Sequence, residues 1–292
     1  MNIDINAPIL VGIDGSAAAN RAARWAAQEA ASWGRPLVLL SVNNWPVEMR
    51  SPWEEGTSWD VEGGRSFARE ALARARRTAL AAAADLEVRV EVVEGVPAHV
   101  MLQRSLDAFL MVVGRRGGGK FSGLLVGSSA AQVATYAGCP VVVVPEVAQP
   151  PRPGGPGIVV GVDIDEHGQR AIEFAFEEAS RRNLPLTAVR AWNLMSDEPA
   201  IRAVFPDPDD LEFEQRRLLG EALAGWATKY PEVDVHHWLV RRHAGRALSA
   251  AGQGASMLVV GARGAGGFPG LLLGSVCDTA IRYANCPVAI AR

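Results

Sequence analysis

The sequence has few cysteines, almost no lysine and no long apolar run. Its three cysteines, Cys139, Cys277 and Cys286, include no CxxC pair, which excludes a disulfide framework. No apolar run approaches the ~20 residues that cross a bilayer, so we expect no membrane segment. The first residues lack a positive region followed by a long apolar stretch, so we also expect no signal peptide and a cytoplasmic protein.

The charge balance excludes a second group of functions. The formal net charge is −3 and the pI is about 6.0, so no overall positive field favours nucleic acid or an anionic membrane. Arginine supplies almost all of the positive charge, because Lys120 and Lys229 are the only lysines. With 49% hydrophobic and 21% charged residues over 292 positions, the composition is that of a globular protein with buried cores.

The chain repeats itself once. The apolar run 9–14, ILVGID, returns as IVVGVD at 158–163, which is 149 residues later, and the run 110–114, LMVVG, returns as MLVVG at 257–261. A period of this length indicates a duplicated domain rather than a solenoid. Five prolines between 145 and 156 predict a linker. We therefore expect domains at 1–146 and 157–292, with the linker at 147–156.

Within each copy, short apolar runs alternate with alanine-rich amphipathic stretches, which predicts strands alternating with helices. In the first copy we expect strands near 8–14, 36–43, 87–94, 109–114 and 140–145, and helices near 17–33, 63–84, 97–106 and 127–137. In the second copy we expect strands near 157–163, 185–191, 233–240, 256–261 and 287–291, and helices near 167–183, 208–229, 243–252 and 274–284. The segments 45–62 and 192–207 give no regular pattern. Nearly continuous apolar strands indicate parallel sheets covered by helices on both faces, so the predicted class is two tandem doubly wound α/β domains.

A glycine-rich loop follows the fourth strand of each copy at the same internal spacing, G-x2-G-x9-G-S. The motif runs from Gly114 to Ser128 in the first copy and from Gly261 to Ser275 in the second. Such a loop lets a ligand approach the backbone and ends at a helix start, where unpaired N–H groups suit an anion. Glycines that only make turns are the alternative, which the duplicated spacing disfavours. A Walker A loop is excluded because Phe121 stands where Ser or Thr would hold magnesium.

This spacing, after a first strand that ends in Asp14 or Asp163, resembles the ATP-binding signature of the universal stress protein family. The resemblance covers both halves and implies a five-stranded parallel sheet of order 3-2-1-4-5 in each. It also implies ATP, with Mg²⁺, as the ligand. That order places a topological switch between the first and fourth strands, where such sheets bind ligands.

The resemblance also implies the binding residues. The aspartate would accept hydrogen bonds beside the adenosine, the second-strand residue would contact adenine through its backbone, the fourth-strand pair would meet the ribose, and the glycine-serine positions would carry phosphates. In the first copy these are Asp14, Val42, Val113, Gly114, Gly117, Gly127, Ser128 and Ser129. In the second copy they are Asp163, Ala191, Val260, Gly261, Gly264, Gly274, Ser275 and Val276. No catalytic residue and no metal ligand is predicted.

Helix capping competes with ligand binding for the aspartates. Ser16 can cap the next helix in the first copy, which would leave Asp14 to the ligand. The second copy has Ile164-Asp165 in place of Gly15-Ser16. Asp165 can still cap its helix, and we expect the bulkier Ile164 to change the geometry of the second site. Arg115, Arg116 and Arg263 are further candidates for phosphate contacts, although a loop arginine can equally be a solvated charge.

The resemblance implies an ATP-binding regulatory protein of the stress response, a nucleotide-dependent switch with little or no turnover. The alternatives are a slow ATP hydrolase, a phosphoryl or adenylyl transferase, or a structural role with vestigial loops. Apolar final strands predict pairing between the two copies and a homodimer, with a further protein partner unknown.

Overall fold

The structure of the chain is a computed structural model that describes residues 6–43, 61–117, 125–192, 208–263 and 273–292. The chain divides into two compact units, residues 1–146 and 147–292. In each unit, strands and helices alternate along the chain, as the sequence predicts.

The first unit contains five strands and, within its described residues, four helices. In chain order they are β1 (Ile9–Gly12), α1 (Ala17–Trp33), β2 (Leu37–Asn43), α2 (Val61–Ala82), β3 (Val88–Glu94), α3 (Pro97–Arg104), β4 (Leu110–Gly114), α4 (Ser128–Tyr136) and β5 (Val141–Val144). The strands form parallel pairs in the order β3-β2-β1-β4-β5. The order implied by the family resemblance is therefore confirmed.

The second unit repeats this arrangement. Its described elements are β6 (Ile158–Gly161), α5 (Glu166–Arg182), β7 (Leu186–Trp192), α6 (Pro208–Lys229), β8 (Val235–Arg241), α7 (Ala244–Ala251), β9 (Met257–Gly261), α8 (Ser275–Tyr283) and β10 (Val288–Ala291). Their parallel order is β8-β7-β6-β9-β10. The predicted fold class, doubly wound α/β in tandem, is confirmed.

Two boundaries differ from the prediction. The segments 45–62 and 192–207 show no pattern in the sequence, yet α2 begins at Val61 and β7 extends to Trp192. Trp192 is buried and lies opposite Arg241 in the parallel pairing of β7 with β8. Tertiary packing therefore extends this strand beyond its apolar run. The rest of these two segments lies outside the described residues.

Small side chains let the first helix lie close on the sheet. Its buried stripe consists of Ala18, Ala19, Ala22, Ala23, Ala26, Ala27, Glu29 and Ala30. This stripe faces central strands whose side chains are fully covered, such as Leu110 and Val112. Burial of apolar carbon contributes about 0.8 kcal/mol per CH₂-sized group. The buried alanine stripe therefore stabilises the packing of α1 on the strands.

The two units share cap geometry as well as order. Helix α1 ends at Gly34 with φ +62°, and α5 ends at the corresponding Asn183 with φ +51°. Both residues adopt the left-handed conformation that terminates helices, and asparagine tolerates it better than most residues do. The predicted linker lies in the second unit, where the Gln149 N–H donates to Asn285 O at 2.9 Å.

The strand order fixes where a ligand can enter. In the first unit β1 pairs with β2 on one side and β4 on the other, and all three strands run in the same direction. After β1 the chain continues to β2 on one side, and after β4 it continues to β5 on the other side. The two connections therefore diverge, and a gap opens between the carboxyl ends of β1 and β4. In this gap the turn after β1 and the loop after β4 approach each other.

Candidate functional site

A cleft of about 550 Å³ opens at the carboxyl ends of β1, β2 and β4 in the first unit. This volume falls in the roughly 300–1,000 Å³ range of small-molecule sites. All eight positions predicted for the first copy line it, namely Asp14, Val42, Val113, Gly114, Gly117, Gly127, Ser128 and Ser129. We call this cleft the first crevice.

The turn between β1 and α1 forms one wall of the first crevice. Gly15 has φ +82°, a conformation that side chains with a Cβ rarely adopt, and a Cβ there would lie 2.8 Å from Phe67 Cζ. Ser16 caps α1, because its Oγ accepts the Ala19 N–H at 3.1 Å. The capping prediction for Ser16 is confirmed.

The Asp14 carboxylate also has a hydrogen-bond partner in this turn. Asp14 Oδ1 accepts the Ser16 N–H at 3.0 Å, because the left-handed Gly15 turns that amide back toward the carboxylate. The hydrogen bond orients Asp14 in the crevice and takes up part of its accepting capacity. A ligand would therefore meet a carboxylate that is already held in place.

Two glycines of the loop motif are required by packing inside the protein. A Cβ on Gly117 would lie 2.2 Å from Asp14 Oδ2, so the carboxylate occupies the space of the missing side chain. A Cβ on Gly114 would lie 2.9 Å from both the carbonyl carbon and the Cβ of Ala18. Gly114 thus lets α1 begin directly against the end of β4.

Gly127 has no such internal reason to be glycine. Its φ is −67°, and the nearest atom to a Cβ there would be Gly117 N at 3.5 Å, an ordinary contact distance. Gly127 is the N-cap of α4, and no side chain caps this helix start. An uncapped helix start beside bare backbone is the arrangement that accommodates an anion.

The polar rim of the first crevice carries both signs of charge. Arg116 and Glu146 both line it and form an ion pair with each other, and each side chain is more than 40% exposed. The neighbouring Arg115 is half-buried, and this burial lowers the pKa of its guanidinium, with Arg116 lowering it further and Glu146 opposing both. A phosphate at the rim would meet one paired arginine.

The inner part of the first crevice is apolar. Leu40, Val42, Val113, Pro97 and Met101 line it. A Cβ on Gly12 would lie only 2.8 Å from the Met101 sulfur. The missing side chain at Gly12 therefore lets Met101 of α3 pack against β1. A flat apolar group fits this end, and an anionic group fits the end at α4.

The second unit places the corresponding residues in the same positions of its fold. Asp163, Ala191, Val260 and Gly261 lie at or just beyond the ends of β6, β7 and β9, while Gly274, Ser275 and Val276 begin α8. Gly274 is an N-cap without a side-chain bond, with φ −68°, and its N–H donates to Ala262 O at 2.9 Å. Gly264 lies outside the described residues. We call this edge of the second unit the second crevice.

The turn after β6 follows a different path. Ile164 replaces Gly15, and among the described non-glycine residues only Asn183 has a positive φ. Asp163 Oδ1 accepts the N–H of the adjacent Ile164 at 2.9 Å. Asp165 caps α5 by accepting the Gly168 N–H at 2.7 Å, as the sequence predicts.

Comparison with known proteins agrees with this duplication. The model of the universal stress protein family matches residues 6–145 and again residues 157–292. The chain belongs to the universal stress protein family. A universal stress protein of Mycobacterium tuberculosis (strain H37Rv) is 36% identical over 293 residues, which cover 97% of this chain and 96% of the relative.

Solved universal stress proteins have the same fold. The crystal structure of one from Archaeoglobus fulgidus aligns with a TM-score of 0.69 at 19% identity, covering 100% of this chain and 98% of that chain. A universal stress protein solved in complex with cAMP aligns with 48% of this chain and 98% of its own, at 24% identity. Its TM-score with this chain is 0.35.

The described residues of this family member offer little support for metal binding, membrane crossing or thiol chemistry. No group of three His, Cys, Asp or Glu side chains there could hold a metal ion, and no helix there is long and apolar enough to cross a membrane. All three cysteines are buried. Burial raises the pKa of the Cys277 thiol to about 12 and that of Cys286 to about 12, which suppresses their reactivity at neutral pH.

Sequence reasoning missed three features of the first crevice. Glu146 was assigned no role, because it follows β5 and is distant in sequence from its partner Arg116. Met101 and Ala17 also line the crevice without belonging to the glycine motif. The strand order, with β5 beside β4, is the signal that could have placed Glu146 near the loop after β4.

Proposed function

We propose that this universal stress protein is an ATP-binding regulatory protein, in which nucleotide in the first crevice sets the conformation or the choice of partner. The observation that carries the proposal is Gly127, whose missing side chain the protein itself does not require. A glycine that no close contact among the described residues requires, at a helix start without a side-chain cap, supports an anion site. The resemblance and the apolar inner end of the crevice make ATP the candidate ligand.

The proposed pose follows the chemistry of the crevice. Adenine would lie at the apolar end, near the Val42 backbone, and the ribose would lie against Val113 and Gly114. The phosphates would lie at the α4 start, where Gly127, Ser128 and Ser129 offer amides, and the two serines add hydroxyl donors. Gly117 would complete this cradle.

Mg²⁺ would enter with the triphosphate. It binds proteins through one or two carboxylates together with substrate phosphates. The first crevice has two carboxylates, Asp14 and Glu146. They are the candidates for its protein ligands.

A switch with little turnover fits these carboxylates better than a hydrolase does. Asp14 is oriented by the Ser16 amide, and Glu146 is paired with Arg116. A general base must be within hydrogen-bond reach of an attacking water and able to accept its proton, and both candidates are engaged elsewhere. ATP binding would then matter through the state that it stabilises.

Thermal unfolding with and without Mg-ATP tests the proposal. Binding to the folded state alone should stabilise it by about 2.7 kcal/mol when ATP is 100 times its Kd. Adenosine should give a smaller shift, because it lacks the groups that the α4 start would hold. No shift at millimolar Mg-ATP would contradict the proposal.

The variant Gly127→Ala separates the ligand from the fold. Its methyl has room in the protein, so unfolding without ATP should change little. The same methyl would occupy phosphate space, so the stabilisation by ATP should largely disappear. An unchanged ATP shift in this variant would remove Gly127 from the proposed site.

A further inference from the structure

The two crevices differ most at the helix start that follows the first strand of each unit. Ala17, Ala18 and Ala19 line the first crevice. The corresponding positions of α5, 149 residues later, are Glu166, His167 and Gly168. A wall of methyl groups in one unit is therefore replaced by a carboxylate, an imidazole and a glycine in the other.

The charge at the N-terminus of the helix after the first strand also differs between the two units. In the first unit the neutral Ser16 hydroxyl caps α1, whose first turn has no acidic residue. In the second unit the Asp165 carboxylate caps α5, and Glu166 follows in the first turn. These carboxylates already compensate the positive end of the helix and would repel a phosphate nearby.

The phosphate end of the second crevice has lost two favourable groups. Val276 replaces Ser129 in the first turn, which removes one hydroxyl donor. Ala262 replaces Arg115, which removes one guanidinium. Of the charged positions in this loop, Arg263 keeps the place of Arg116.

The aspartate of the second crevice has an arginine as a neighbour. Arg190 of β7, which replaces the buried Ser41, is close enough to Asp163 for the carboxylate to raise the pKa of the guanidinium against the lowering effect of burial. The same arginine donates from Nε to Gln215 Oε1 at 2.9 Å. Arg190 therefore places a positive charge near Asp163.

Three charges oppose these differences. Arg170 pairs with Glu166 and offsets part of the negative charge at the start of α5. Glu146 adds a negative charge to the first crevice, where Arg116 pairs with it, and Arg190 adds a positive charge to the second. Glu146 follows β5 and Arg190 lies on β7. At the two helix starts themselves the contrast is direct: no carboxylate at Ser16 or Ala17, and one at both Asp165 and Glu166. The helix starts therefore decide the comparison for a triphosphate.

We infer that the chain binds one triphosphate, in the first crevice, and that the carboxylates at the start of α5 exclude it from the second. This inference rests on the proposed ATP binding and adds its stoichiometry. The two units are then not equivalent. One is the nucleotide site, and the other keeps the fold without holding the triphosphate.

Titration calorimetry with Mg-ATP on the full chain, together with a matched pair of variants, tests this. Wild type should give one site per chain. Ala17→Glu places at the first crevice the carboxylate that Glu166 provides in the second, and should weaken ATP at least about tenfold. Glu166→Ala makes the opposite change and should leave the affinity at the first crevice unchanged.

The fold should tolerate Ala17→Glu. Ala17 is exposed, a glutamate in a first turn is favourable, and Arg21 stands four residues on, as Arg170 does when it pairs with Glu166. Ala17→Gln, of similar size and no charge, controls for bulk and should keep most of the affinity. Unliganded unfolding of all three variants should match wild type within about 0.5 kcal/mol.

Each outcome has a distinct meaning. Two equivalent sites per chain would overturn the inference while supporting the proposed function. One site that survives Ala17→Glu would overturn it as well, because the nucleotide would then lie elsewhere. No saturable binding would sink the proposed function and the inference together.

Discussion

At the scale of single residues, glycines of one motif serve different purposes. Gly114 admits the start of α1, Gly117 makes room for the Asp14 carboxylate, and a Cβ on Gly127 would meet the described protein atoms only at ordinary contact distances of 3.5 Å or more. The same sequence motif thus includes two glycines that packing requires, Gly114 and Gly117, and one, Gly127, that the described packing does not require. Substitutions can distinguish them.

Gly117→Ala should act through Asp14. Its φ is not positive, so the backbone tolerates alanine, but the new methyl must displace the Asp14 Oδ2 that lies 2.2 Å from the Cβ position. We expect ATP affinity to fall about tenfold, a loss of about 1.4 kcal/mol, with little change in unfolding, because both residues are exposed.

A double-mutant cycle checks this coupling. Asp14→Asn should weaken ATP by a similar amount, and the double variant should lose much less than the sum of the single losses. Calorimetry on the four proteins measures it. Additive losses would show that Gly117 acts independently of the aspartate.

The buried thiols predict a dependence on alkaline pH. Burial raises the pKa of Cys277 and Cys286 to about 12 each, whereas a thiol in the unfolded chain ionises near 8.5. The unfolded chain therefore loses these protons first as the pH rises, so the free energy of unfolding should fall from about pH 8.5 upward.

Cys286→Ala should make that decline shallower, and denaturant unfolding between pH 7 and 10 measures the slope. A disulfide reagent at pH 8 should modify native protein slowly and unfolded protein fast. Rapid labelling of the native chain at both positions would contradict the burial of these thiols.

At the scale of elements, glycines within helices have opposite environments. A Cβ on Gly168, in the first turn of α5, would lie 2.1 Å from Asp163 O, whereas a Cβ on Gly225 in α6 would have no atom within 4 Å. Alanine is favoured over glycine in a helix by about 1 kcal/mol. Packing decides whether that gain is realised.

Gly225→Ala should stabilise the chain by about 0.5–1 kcal/mol. Gly168→Ala should destabilise it by more than that gain, because Asp163 O cannot move without disturbing the turn after β6. Chemical denaturation of the two variants beside wild type measures both signs. A stabilised Gly168→Ala variant would show that this turn is not as tightly packed as the structure has it.

The elements were the most predictable part of the molecule. The local sequence pattern is sufficient to predict apolar β-branched strands such as 110–114 and alanine-rich helices such as α1. The extension of β7 to Trp192 was not predictable, because it depends on pairing with β8. The same limit applies to Glu146, whose pairing with Arg116 requires the sheet order, and to Asp14, whose orientation requires the backbone of Gly15.

At the scale of the whole molecule, duplication has been followed by divergence at the site. Both units keep five parallel strands in the same order and an uncapped glycine before the fourth helix. They differ in charge at the helix that follows the first strand. The shared residues thus form the fold, whereas the residues that differ line the helix start beside the crevice. Homodimer formation stays a prediction that sedimentation can test.

Amide hydrogen exchange with and without Mg-ATP tests the central claim most directly, because it locates the ligand within the chain. ATP should slow exchange at 14–19, 114–117 and 128–130, the amides around the first crevice. The corresponding amides at 163–168 and 275–277 should exchange unchanged. Protection absent from the first set at saturating ATP, or confined to the second set, would contradict nucleotide binding in the first crevice.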